Sequence, residues 1–484
     1  MGAALRWRPA EDISMKESLL TLTLAFAAIT FSLAVRAQAQ TVTFLAQFNG
    51  ENGNGPFGSV IQATDGNFYG TTAAGGAHDK GQVFRMTPSG KISTIYSFCS
   101  QSNCVDGALP STAPILGSDG NLYGAVAYGG SDSAPNAQPG SGAIYKLTLG
   151  GQIEILYTFC SSGLPCVDGQ SPNRITQASD GTFYGTTPVG GTLNEGTIFR
   201  ITPGGQFKLL HTFCSQANCG DGQSPRFPPI QGRDGNFYGT AGGVFYELTS
   251  SGTYEVLHTF CIEGACASGS GPTTVVQGAK GNFYGTTVFG GIENNGTVFE
   301  ITSTNQYHVL HRFNRTDGNG ALFGLTAAND GNLYGVLLDG GSNIGGTAFE
   351  VTPAGRYTTL YSFDAKQGST PIGPLFQGTD GSFYGTTEFG SNSLFGSVFR
   401  LSNGLSPYVE PVPARGNVGE RILILGNGLS GTSSVTFNDV AAKFKVQKDT
   451  LITAWVPAGA TTGTVSVVTP GGTLKSNPQF VVTK

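Results

Sequence analysis

Asp65-Gly66-Asn67-Phe68-Tyr69-Gly70-Thr71-Thr72 sets a pattern that returns along most of the chain. Its first six residues recur with small changes at 119–124, 180–185, 234–239, 280–285, 330–335 and 380–385, and the tyrosines of these seven copies stand 46 to 61 residues apart. Asp-Gly-Asn is the residue chemistry of a tight hairpin turn. Working outward from it, 59–63 predicts a first strand (A), 68–72 a second (B), 82–87 a third (C) and, after Pro88-Ser89-Gly90, 92–98 a fourth (D). The same order returns at 197–213 and 348–363. Strands B and C carry apolar residues on both faces, which a lone sheet could not bury and sheets stacked radially can. The repeat therefore predicts an all-β chain built on a seven-bladed β-propeller over residues 40–403.

The ends of the array point to a closed ring. The seventh repeat stops after strand C, at 396–401, while 41–48 matches the strand D pattern of 92–98. Pairing the two would join both ends of the ring in one sheet and remove two raw edges. The composition agrees with many short strands and turns: 74 glycines among 484 residues are roughly twice the usual share, and charged residues, at 12%, are about half of it. A net charge of −5 gives no electrostatic reason to bind nucleic acid or anionic lipid.

Residues 1–39 read as a secretory signal, with Lys16 ahead of the uncharged run 19–35 and Ala37-Gln38-Ala39 as the cleavage site. Met15 is an alternative start, and an uncleaved anchor is the rival reading. Once the signal is removed, the expectation is a secreted or surface-held chain without an integral membrane segment. The last 80 residues, 405–484, alternate Ile, Val and Thr runs with Gly, Pro and Asp turns, as a β-sandwich does.

The eight cysteines fall into local pairs, Cys99 with Cys104, Cys160 with Cys166, Cys214 with Cys219 and Cys261 with Cys266, each following the Phe that ends a strand D. In an exported chain these are disulfides; zinc would need convergent ligands, which pairs on separate blades do not supply. Strand alternation puts the D-to-A and B-to-C loops on one face of the disc. Those loops vary, from the minimal Ala241-Gly242-Gly243 to the long 129–142, and variable loops on a rigid scaffold are where binding resides.

Asp106, Asp168, Asp221 and Asp317 lie in those D-to-A loops, and four acids around one mouth would suit sugar hydroxyls or a cation. The plainer reading is that Asp-Gly again makes a turn. His211, His258 and His311 occupy a strand D position held by Tyr96, Tyr157 and Tyr361 elsewhere, which marks them as scaffold. Gln62, Gln177, Gln231, Gln277 and Gln377 share one position in strand A, where they either line the central channel or satisfy backbone between blades. Arg85, Lys146, Arg200 and Arg400 in strand C alternate with Glu247, Glu300 and Glu350, which reads as a solvated strand edge. No catalytic or metal-ligating constellation and no cofactor motif stands out.

The unit Asp-Gly-Asn-Phe-Tyr-Gly-Thr-Thr, followed by Gly-Gly, Gly-Thr-Val-Phe and Thr-Pro-x-Gly, resembles the GloVer tandem repeat of secreted bacterial proteins over about residues 41–403. The resemblance implies an extracytoplasmic location and no particular reaction. Residues 405–484 resemble an IPT/TIG immunoglobulin-like domain, carried by 419–426, 434–438, 449–457 and 464–472. The expected function is non-catalytic binding of an extracellular glycan or protein by the propeller loops. The alternatives are a polysaccharide-acting hydrolase or lyase, and a structural envelope protein.

Overall fold

The computed structural model describes residues 40–110, 112–130, 142–161, 163–261, 266–390, 394–477 and 479–483. The proposed signal at 1–39 and most of the long B-to-C loop, 131–141, lie outside these. Among the described residues no helix is long and apolar enough to cross a membrane.

Seven four-stranded antiparallel sheets follow one another in chain order, as the repeat predicts. In the first blade, strands Ile61–Gln62, Phe68–Thr72, Gln82–Met86 and Ile92–Ser97 are A to D. The seventh blade takes Gly368–Gln377, Phe383–Gly390 and Ser397–Ser402 from the end of the array and Thr41–Gln47 from its start. That last pairing is antiparallel, with Thr41 opposite Ser402 and Phe44 opposite Phe399. Phe48, fully buried, follows it into a core shared with the first blade through Val60, Phe68 and Phe84.

The repeat motif is a device for packing one blade on the next. Its tyrosine stacks on the motif phenylalanine of the following blade, as in Tyr123 on Phe183 at 4.3 Å, Tyr184 on Phe237 at 3.8 Å and Tyr384 on Phe68 at 4.1 Å across the closure. The motif glycine leaves room for the aromatic ring opposite it in strand C. A Cβ on Gly285, for example, would lie 2.5 Å from the ring of Phe299. A second glycine, just before strand C, holds φ near +90° against a proline of the next blade. A Cβ there would meet the proline Cδ at 2.6 Å in Gly81 with Pro110 and at 2.7 Å in Gly196 with Pro225.

The shared glutamines of strand A are clasps between blades. Each donates Nε2 to the glycine carbonyl of its own turn, while Oε1 accepts a backbone N–H from the preceding blade. Ser118 N–H reaches Gln177 at 2.9 Å, Ser179 N–H reaches Gln231 at 2.9 Å, and Thr379 N–H reaches Gln62 at 3.1 Å, which again joins the last blade to the first. The strand C charges are not a solvated edge. Each sits directly opposite the motif tyrosine, as Tyr69 faces Arg85 and Tyr284 faces Glu300, and is half-buried there. Glu300 accepts from the Tyr284 hydroxyl at 2.7 Å in the one blade where Lys280 replaces the turn aspartate.

The C-terminal domain packs two four-stranded sheets around Val409, Ile422, Ile424, Leu429, Phe437, Ile452 and Val467. It seats on the A-to-B turns of the propeller. Arg415 donates to the Gly232 carbonyl at 3.0 Å, Asn427 to the Thr379 hydroxyl at 2.7 Å, and the Tyr408 hydroxyl to the Gln377 carbonyl at 2.7 Å.

Candidate functional site

The four rim aspartates occupy the D-to-A loops, one to a blade, and each finds its partners inside its own loop. Asp106 is fully buried and accepts from the Tyr96 hydroxyl at 2.6 Å, the Ser100 N–H and hydroxyl at 2.8 Å, and the Gln101 N–H at 3.2 Å. Asp221, also buried, repeats this with Ser215, Gln216 and His211 Nε2 at 3.1 Å. Burial opposes ionisation of Asp221, but the hydrogen bonds from Ser215 and Gln216 outweigh it and hold the carboxyl below the usual range. Half-buried Asp168 accepts from the Tyr157 hydroxyl at 2.8 Å and Cys160 N–H, and Asp317 from His311 Nε2 at 2.9 Å and Asn314 N–H. Tyr and His exchange in strand D because either puts a donor at this point. Their rings then stack on the next blade, as His211 does on Tyr254 at 3.9 Å and Tyr157 on Phe207 at 4.0 Å. The four cysteine pairs are disulfides; three of them close the loops of Asp106, Asp168 and Asp221, and Cys261–Cys266 closes the loop after the fourth blade.

What these braced loops enclose is a cavity of about 730 Å³ on the ring axis, lined by residues from all seven blades. The lining comes mainly from the chain entering strand A. In six blades a proline (Pro56, Pro110, Pro172, Pro225, Pro272, Pro371) precedes this entry, and residues just after it line the cavity. One position, three residues ahead of the strand A residue that faces the motif tyrosine, is shared but its side chains are not: Gly58 in the first blade, Thr112, then Asn173, Phe227, Thr273, Phe323 and Gly373, with Phe57 one residue before it in the first blade and Arg174 one residue after it in the third. The minimal turn Ala241-Gly242-Gly243 lowers the wall at the fourth blade, and the neighbouring Phe289 stands there half exposed. Among the described residues no aspartate, glutamate or histidine lines this chamber, whereas Arg174 and Arg226 both do.

Below this chamber lies a second of about 420 Å³, formed by strand A residues of four blades and by Glu410–Ala414 of the C-terminal domain. Arg174 lines both chambers and so stands at the waist between them. The segment from Glu410 lines one side of the lower chamber, so the two chambers together form a funnel whose wide end faces the D-to-A loops. Burial pushes the Glu410 carboxyl up to about 7. The same cause lowers the Arg174 guanidinium to about 10.

Sequence reasoning missed these arginines because it followed residues that repeat. The signal that would have found them is the recurring proline, which marks the entry to strand A in nearly every blade. Among the described residues no cluster of three or more metal-type side chains occurs.

The Gloeobacter/Verrucomicrobia repeat matches residues 27–242 and 240–410, and the IPT/TIG domain matches 409–482. No curated protein matches the chain in sequence. Similar solved structures include a copper-bound fungal alcohol oxidase of the AA5 family, 14% identical over 92% of this chain and 99% of that one, with a TM-score of 0.47. Another is the PQQ-bound aldose sugar dehydrogenase of Streptomyces coelicolor, 12% identical over 75% of this chain and 98% of that one, with a TM-score of 0.39. Likenesses this remote carry no chemistry to the present chain.

Proposed function

The chain belongs to the Gloeobacter/Verrucomicrobia repeat family, and from that premise we propose that it is an exported, non-catalytic binding protein whose funnel receives a glycan. Residues 1–39 act as the cleaved export signal, and four disulfides suit the oxidising space beyond the membrane. The observation that carries the reading is the funnel itself. It is concave, and of a volume that suits a small ligand, with phenylalanine faces set among hydroxyl and amide groups. Aromatic faces pack on the C–H faces of sugar rings while the polar groups take the hydroxyls. Among the described residues the upper chamber is lined by no carboxylate or imidazole, and Glu410 of the lower chamber has no second acid or base in the lining beside it, which favours binding over turnover. In this reading Asp106, Asp168, Asp221 and Asp317 brace the mouth and do not touch the ligand, and the IPT/TIG domain lines one side of the lower chamber.

A glycan array of the purified chain (residues 40–484), alongside Phe289→Ala, tests the proposal. Binding by the parent that weakens in the variant is the expected result. A blank array for the parent would turn the search to protein partners or to a structural role in the envelope.

A further inference from the structure

The arginine at the waist of the funnel has no partner. Arg174 makes no hydrogen bond and no ion pair with any described residue, although it is only partly exposed and lines both chambers of the channel. Other arginines of the chain settle on backbone carbonyls: Arg233 on Ala279 at 2.7 Å, Arg312 on Ala267 at 3.0 Å, and Arg415 on Gly232 at 3.0 Å. A half-buried guanidinium with five donors, none of them taken by a described residue, presents those donors to the channel and so to an acceptor that arrives from outside.

Three further observations point to what that acceptor is. Arg226, at the mouth, also lacks a partner among the described residues, so the upper chamber holds two free cations and, among those residues, no lining anion. The positive charge is local, because the chain as a whole carries −5, and a narrow cleft concentrates such a field. Glu410, the single carboxylate of the lower chamber, forms no ion pair with Arg174 and so leaves the guanidinium available.

We propose that the funnel recognises an acidic glycan, with Arg174 taking a carboxylate or sulfate ester at the waist, Arg226 drawing the anion in at the mouth, and Phe57, Phe227, Phe289 and Phe323 packing on the sugar faces. The planar guanidinium suits either anion, because both present two oxygens to its fork. This inference rests on the glycan-binding reading above and narrows it to one charge class.

The test is calorimetric titration of the chain (residues 40–484) with three probes: tri-galacturonate, its fully methyl-esterified form, and a carrageenan tetrasaccharide whose anions are all sulfate esters. At least one anionic probe is expected to bind about 10- to 100-fold more tightly than the ester, the range lost with a charge-assisted hydrogen bond. Which of the two binds names the anion. Arg174→Gln should remove that preference with its unfolding midpoint unchanged or raised, since an unpaired half-buried charge is lost. Arg226→Gln, at an exposed position that cannot unfold the ring, should weaken anion binding and flatten its salt dependence. If the neutral ester binds as tightly as the acids, and neither variant changes this, the acidic-ligand inference fails while glycan binding stands. If no glycan of either charge binds, here or on the array, both readings fall.

Discussion

Replacing Glu410 by glutamine should make the protein more stable at pH 8 and leave it unchanged at pH 4. Glu410 opens the strand Glu410–Val412, pairs with Leu425, and turns its carboxyl into the lower chamber of the funnel without a hydrogen-bond partner. Burial is the sole cause that moves the group, from its ordinary value of 4.5 up to about 7. A raised carboxyl means that the folded state holds a proton which the unfolded state has released, so stability falls as pH rises through that interval. Below about 4.5 both states are protonated and nothing is lost. Above about 7 both are ionised, and the folded state bears the full cost of a buried charge. Each ten-fold change in proton affinity is worth about 1.4 kcal/mol, which sets an upper limit near 3 kcal/mol. The side chain keeps some accessible surface toward the chamber, and water there reduces the cost, so about 1–3 kcal/mol is expected. Glutamine keeps the shape and cannot ionise. Urea unfolding of the parent and of Glu410→Gln at half-unit steps from pH 4 to 8 should show curves that coincide at the acid end and separate through pH 5–7. A glutamine variant less stable than the parent at pH 8 would refute the reasoning. It would mean that the carboxylate is paired, with Arg174 the available cation, and the case for a free guanidinium would fall with it.

Two further substitutions probe the ring and its rim. Phe48→Ala removes a fully buried ring where the closing strand meets the first blade, and should cost about 3–5 kcal/mol in denaturant unfolding; a near-neutral result would mean that closure contributes little to the fold. Asp221→Ala strips the acceptor from His211, Ser215 and Gln216, and should destabilise by about 1–3 kcal/mol while leaving glycan affinity as it was. Lost affinity in a variant that is still folded would return the rim aspartates to the ligand site.

The scaffold was legible in the sequence because every element of it repeats. Tyr69 and Phe68 recur since each blade must stack on the next, and the match of 41–48 to 92–98 revealed the closure since the seventh sheet lacks its own fourth strand. The glutamines of strand A were half legible. Their recurrence was visible, but only the geometry shows Oε1 reaching the preceding blade rather than the channel. The strand C charges were misread as a solvated edge because alternating sign resembles surface, whereas each answers a tyrosine directly across the sheet. The funnel was opaque for the opposite reason. Asn173, Phe227 and Phe323 hold one structural position with unlike side chains, and Arg174 follows it in one blade alone, so comparing the repeats averages them away. The seating of the C-terminal domain was equally hidden, because it depends on single residues such as Arg415 and Asn427 that belong to no pattern.

A ring of seven like blades cannot by itself make a directional site, since any ligand on its axis would meet the same wall on every side. Three departures from symmetry break that equivalence, and all of them fall on the funnel. Blade three brings a guanidinium to the waist where blade one has Ser59 and blade seven Pro374, so the wall is charged on one side only. Blade four shortens its B-to-C turn to Ala241-Gly242-Gly243, which opens the wall beside Phe289 and gives an elongated ligand a way to lie across the rim. The C-terminal domain lines the far chamber with Glu410–Ala414 on one side only, so that end too presents unlike walls to a ligand. The conserved geometry of the blades then has a plain physical role. It holds the few unlike residues at fixed positions, and the aspartates and disulfides of the D-to-A loops keep those positions from drifting. A ligand therefore meets a preorganised wall and does not have to order the loops on binding, a cost that otherwise weakens loop-built sites.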